Sequence, residues 1–216
     1  MSKKILDIYD EYKIIPALQK HMLRVAAVAS LICNNFNEPL PKNDIITACL
    51  LHDMANILKF KWDSLSEFLE PKGFHYWQNI QNKYKEKYGD DEHEATMKII
   101  KELRLSNAVI SLADQNRFSL ICKHRDSRDI NIKIVHYADG RVDPYGIVSY
   151  EERMDEAKKR YENHKLRIPE TERQKLVICG KEIEKQIFAK CKIKPEYITN
   201  ETVAPIISGL RNFMIK

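Results

Sequence analysis

Apolar side chains recur every three to four positions along most of the chain, the period of helices with one face in a core. From Ile8 to Phe36 the positions Ile14, Leu18, Val25, Val28, Ala29 and Ile32 keep that spacing, and Pro39 with Pro41 ends it, so one long first helix is predicted. Asn43 or Asp44 caps a second helix from Ile45 to about Leu58, whose middle, ITACLLH, is apolar on most sides and therefore central. Further helices are predicted over 63–69 and 74–88, separated by Pro71 and Gly73, the latter helix ending at Gly89. Asp90, Asp91 and Glu92 place negative charge at the start of a helix reaching Leu103, and Ser106 or Asn107 opens the next, to about Cys122. Lys123 to Asp129 reads as a polar break. Ile130 to Val142 suits a helix, although its β-branched residues would tolerate a strand. Ser149 with Glu152 forms a capping box for a charged helix to about Leu166. Pro169 opens a helix to about Lys192, and a last one spans Glu201 to Phe213 with Pro205 in its first turn. The fold expected is all-α: a helical domain over 1–166 and a C-terminal helical extension over 167–216 packed on it, with a seam at Arg167 to Pro169.

Composition agrees and narrows the function. Only 6 of 216 residues are glycine, which favours helices over turn-rich β architecture. The formal charge of +5 is the difference between 36 basic and 31 acidic side chains, so no nucleic-acid surface is implied. Five cysteines, widely spaced and without a Cys-x-x-Cys pair, argue against a disulfide framework or a thiolate zinc site and for a reducing compartment. The most apolar run, Met22 to Cys33, is shorter than the roughly 20 residues needed to span a bilayer and carries Arg24. With no apolar stretch behind the N-terminal lysines to serve as a secretory signal, a cytoplasmic location is expected.

The chemistry lies where the apolar pattern is interrupted. His52 and Asp53 follow the buried run directly, His21 sits between Leu18 and Val25, and Asp139 lies inside KIVHYADGRV. Each alone has an ordinary explanation: a hydrogen-bonded core histidine, a pair joining two helices, or an aspartate bridged to Arg141. Together they place polar groups near the middle of three buried segments, and three such desolvation costs at once point to a shared ligand. Imidazole and carboxylate ligands suit Mn, Fe, Co, Ni, Zn or Mg.

The sequence H-M-L-R-V from His21, L-L-H-D-M-A-N around His52 and Asp53, and H-Y-A-D-G-R-V around Asp139 resemble the H…HD…D pattern of the HD-domain metal-dependent phosphohydrolase superfamily over roughly 12–154. The resemblance implies a helical bundle holding one divalent ion on His21, His52, Asp53 and Asp139. Some members hold two ions, and here His93 and Asp114 stand where the further ligands would be; His124 is of the usual type but falls in the polar break and reads as a solvated loop residue. The commoner HD-I-G-K continuation is absent, with Met54, Ala55 and Asn56 in its place and a basic residue only at Lys59. Arg24, three positions after His21 on the same helical face, Lys59 and Arg141 are the substrate-binding candidates, with Arg117 reading as a surface cation. His136, three positions before Asp139, is placed to orient it. His75 and His164 lie in polar surroundings.

The resemblance implies an enzyme that hydrolyses a phosphoester or phosphoanhydride of a small phosphorylated substrate, a nucleotide being the class expected, with Asp53 as catalytic residue. The alternative is an intact HD module that binds or senses a nucleotide without cleaving it. Oxygenase chemistry at a di-iron centre, found in distant relatives, needs more ligands than are matched here. Homo-oligomer formation is left open by the sequence.

Overall fold

A computed structural model describes residues 2–60, 69–162 and 168–216. All but Leu69 of the expected helix over 63–69 and the expected end of the charged helix near Leu166, together with His164 and Arg167 at the start of the seam, lie outside the described residues. Those described form eleven α-helices and a two-stranded antiparallel ladder. The helices are α1 (Ile5–Glu11), α2 (Pro16–Asn35), α3 (Lys42–Leu51), α4 (Phe74–Tyr88), α5 (Glu92–Glu102), α6 (Asn107–Asp114), α7 (Ile121–Asp126), α8 (Ile130–Asp139), α9 (Tyr150–Arg160), α10 (Glu170–Phe188) and α11 (Asn200–Leu210). Strand β1 (Lys3–Lys4) pairs with β2 (Met214–Ile215), Lys3 opposite Ile215 and Lys4 opposite Met214.

The centre is α2, α3 and α8 packed on one another. In α3 every residue from Ile45 to Leu51 is buried, as the all-round apolar run demands, and in α8 the same holds from Ile132 to Ala138. The buried hydroxyl of Tyr9 donates to the Leu50 carbonyl near the C-terminal end of α3, where the helix has no further turn to satisfy it. Asp129 accepts from the Asn131 amide and caps α8, which settles the helix over the strand for that segment.

Several boundaries differ from those predicted. The first helix is two, because Lys13 turns left-handed at φ 52° and Pro16 then starts α2, its missing N–H costing nothing at a first turn. The second helix stops at Leu51, so His52 and Asp53 sit on the turn after it, ahead of a short 3₁₀ helix over Asn56–Lys59. The polar break is partly helical: α7 exposes Lys123 and Asp126 but buries Ile121 and His124, so the solvated-loop reading of His124 is corrected. The capping box of Ser149 and Glu152 is present at the head of α9. The expectation about cysteines is also corrected, since Cys122 on α7 and Cys179 on α10 are joined in a disulfide across 57 positions, while Cys33, Cys49 and Cys191 are free. No helix among the described residues is long and apolar enough to cross a membrane.

Helix α10 lies against α7 and α8, and α11 against α2. The α10 contacts carry charge: Glu182 takes Arg125, Gln186 takes Lys133, and Glu184 takes the hydroxyl of Tyr137.

Candidate metal centre

Three neighbouring elements deliver the cluster. His21 comes from the second turn of α2, His52 and Asp53 from the turn that ends α3, and Asp139 is the last residue of α8. Because α3 has ended, the 100° divergence of adjacent helical residues does not apply, and His52 and Asp53 face the same point. The His21 Nε2 lies 3.1 Å from Asp139 Oδ1 and 3.6 Å from Asp53 Oδ2. The His52 Nε2 lies 3.5 Å and 3.6 Å from the same two oxygens. One donor atom each from His21, His52 and Asp53 falls within 4.8 Å of the others. Ligands bonded at about 2.1 Å to one ion, with angles between a right angle and the tetrahedral value, stand about 3.0–3.4 Å apart, close to these edges.

The protonation pattern fits the same reading. His52 Nδ1 is 2.9 Å from the Cys49 carbonyl and can only donate to it, so Nε2 carries the lone pair in the neutral ring. That Nε2 is buried and has no hydrogen-bond partner. A nitrogen so placed between two carboxylates calls for positive charge, supplied by its own proton in the metal-free chain and by a divalent ion where one is bound. Burial alone would lower the His52 pKa, but Asp53 and Asp139 outweigh it and carry it up to about 9 in the metal-free chain. Asp139, although burial opposes ionisation, is held well below the usual carboxylate range by His52 and His21.

Asn56 stands where the commoner continuation has its lysine. Its Nδ2 donates to Asp53 Oδ2 at 2.8 Å and so fixes the oxygen that faces both imidazoles. The signal available was a polar amide three positions after an aspartate. Lys59 reaches the same region from the 3₁₀ helix: burial would lower its pKa, yet Asp53 and the ion pair with Glu92 at 2.6 Å raise it.

The other candidates divide. Arg24 is half-buried one turn after His21, donates to the Pro144 carbonyl at 3.3 Å, and has its pKa lowered by burial against the opposing pull of Asp143. His93 and Asp114 are brought together with each other, at 2.9 Å, and the same Asp114 oxygen receives Arg117 at 3.0 Å, which lowers the Asp114 pKa. Arg141 is buried and directed elsewhere: its guanidinium donates to the carbonyls of Val148, Pro195 and Ile198 and to the Tyr137 hydroxyl. These bonds engage it in the fold and leave little of it for a phosphate. His136 does not address Asp139 through Nδ1, which is buried without a partner; its ring stacks on Phe118 and adjoins His124, whose Nε2 meets the Gln115 carbonyl.

Comparison with protein families then supplies the name for this arrangement, the model of the HD domain matching residues 18–159, about two thirds of the chain. The chain belongs to the HD-domain metal-dependent phosphohydrolase superfamily. No curated protein and no solved structure matches it significantly. HD domains bind divalent metals and are generally hydrolases, and the matched segment contains His21, His52, Asp53 and Asp139 while ending before α10.

Proposed function

We propose that this HD-domain chain hydrolyses a phosphoester or phosphoanhydride of a small phosphorylated substrate, a nucleotide being the class favoured, with one divalent ion held by His21, His52, Asp53 and Asp139. The observation that carries the reading is the convergence of two imidazole nitrogens on two carboxylates, the Nε2 atoms of His21 and His52 each standing 3.1–3.6 Å from oxygens of both Asp53 and Asp139. A divalent ion bound there lowers the pKa of water toward neutrality and polarises a phosphoryl oxygen.

The chain's own residues do the rest. Asp53, with one oxygen fixed by Asn56, orients the attacking water by accepting its hydrogen. Arg24 lies on the His21 face of α2 and is held at one nitrogen by Pro144, which leaves guanidinium donors for phosphoryl oxygens. Lys59, tethered by Glu92, keeps a second cation near Asp53 and does the work that the usual lysine of the motif would do. We assign Arg141 to the fold rather than to the substrate. A second ion at His93 and Asp114 would have to displace both their mutual bond and Arg117, so one ion is the reading preferred.

The test is elemental analysis followed by phosphate release from a nucleotide panel with Mn, Fe, Co, Ni, Zn and Mg. Release that EDTA abolishes is expected. Absence of release with every metal overturns the hydrolase reading, and tight binding with the nucleotide recovered intact would leave a non-catalytic sensing module.

A further inference from the structure

The family match ends at residue 159, yet the helix carrying Asp139 is braced from beyond that limit. Tyr150, the first residue of α9, is 2% exposed, and its ring lies between two glycines on different elements. A Cβ on Gly140, the residue after Asp139, would come within 2.7 Å of the Tyr150 ring. One on Gly180, in the middle of α10, would meet Cε1 of the same ring at 2.7 Å and run into Cζ and the hydroxyl more closely still. Contacts that short do not occur, so both positions need glycine for the ring to fit between them. The Tyr150 hydroxyl is buried with no hydrogen-bond partner, which identifies the ring as a spacer rather than a bonding group.

The bonding is done one helical turn away. Glu184, four positions after Gly180, accepts from the Tyr137 hydroxyl, which in turn accepts from Arg141; Arg141 also donates to the carbonyls of Pro195 and Ile198. Asp139 thus lies between two residues, Tyr137 and Arg141, that are both fixed to the segment after 167, and its neighbour Gly140 rests on a ring seated in α10.

We propose that the C-terminal helical segment is a working part of the metal centre: Tyr150, seated in the Gly180 notch of α10, together with Arg141, sets the position of Asp139. They are positioning residues, acting on the ion only through Asp139. The inference rests on the four-ligand reading above. It explains why a chain with a family match that stops before α10 carries this segment packed against the end of α8.

The experiment is calorimetric titration of the full chain with Mn2+ alone. Gly180→Ala drives a methyl into the Tyr150 ring and should cost stability whether or not the ring bears on the metal centre, so a loss of stability does not test the proposal. We expect it also to weaken Mn2+ binding by about tenfold or more, the range typical of residues that orient a ligand. Tyr150→Phe alone removes only the unpartnered hydroxyl and should bind normally. In Gly180→Ala/Tyr150→Leu the atoms that the new methyl would strike, Cε1, Cζ and the hydroxyl, are gone, so the two losses should not add and affinity should stay within about threefold of Tyr150→Leu alone. Should Gly180→Ala not fold, Tyr150→Leu, which cannot reach the notch, takes its place with the same expected loss. Unchanged affinity in Gly180→Ala or in Tyr150→Leu, or losses that add in the double variant, overturns the proposal. A wild type that binds no divalent metal overturns the four-ligand reading itself, a result distinguishable from the first.

Discussion

Asp53→Ala tests the metal centre most directly, because Asp53 faces both imidazoles and is held in place by Asn56. A ligand that binds only the folded state stabilises it by about 2.7 kcal/mol at one hundred times its dissociation constant. Unfolding entropy near 2.1 cal/mol/K per residue gives about 0.45 kcal/mol/K for a chain of 216 residues, so that stabilisation corresponds to about 6 °C in Tm. Wild type loaded with metal should therefore lose about 6 °C on adding EDTA. In the metal-free protein Asp139 still pairs with both histidines when Asp53 is gone, so the variant should melt within about 1 kcal/mol of EDTA-treated wild type, as expected for a partly exposed carboxylate. The variant itself should not respond to chelator. Differential scanning fluorimetry of both proteins, with and without EDTA, reads all four values. A wild type that contains no metal and melts identically with EDTA refutes the reasoning, and so does a variant that responds as strongly as wild type.

Three further outcomes are expected. Asn56→Ala frees the Asp53 carboxylate and should weaken Mn2+ binding between about tenfold and a hundredfold, measurable by the same titration. Reduction of Cys122–Cys179, or its replacement by serines, opens a 57-residue loop and should lower stability by up to about 4 kcal/mol on the chain-entropy scale, read from urea melts with and without dithiothreitol. Burial pushes His136 down to about 4, against 6.5 for the free side chain, so the unfolded chain takes up a proton that the folded chain refuses between those values. Stability should accordingly be full above pH 6.5 and fall by about 3 kcal/mol as pH drops toward 4, and His136→Phe should flatten that slope relative to wild type when both are melted in EDTA.

Much of the fold follows from periodicity and caps alone. The bounds predicted for α4 are those observed, and the capping box at Ser149 marks the start of α9 to the residue, because both signals are local, whereas α9 ends at Arg160, short of the Leu166 expected. The break between α1 and α2 escapes the pattern because Ile14 and Ile15 remain buried across it, so the apolar spacing continues while the backbone does not. For His52 and Asp53 the sequence could say that a buried run precedes them, but the end of α3 at Leu51 is set by packing and by the Cys49 bond to His52, which spacing does not encode. The disulfide had no signal: its partners are 57 residues apart and meet only because α10 lies along α7. Arg141 shows the limit most clearly. A cation two positions after a candidate ligand is expected to serve the substrate, whereas four oxygen acceptors, two of them on the distant segment at Pro195 and Ile198, claim it once the chain is folded.

The short ladder between β1 and β2 has a mechanical consequence. Lys3 pairs with Ile215 and Lys4 with Met214, so the strand ends nearest residues 2 and 216 emerge side by side at the open end of an antiparallel pair. Tension applied through those two ends peels the bonds one after another instead of loading them together. The Ile5 amide on the Phe213 carbonyl is next in line, and beyond it the force reaches α1 and α11. Stretched in an optical trap, the chain should yield first by this zipper at low force, with the helices around His21, His52 and Asp139 giving way only afterwards.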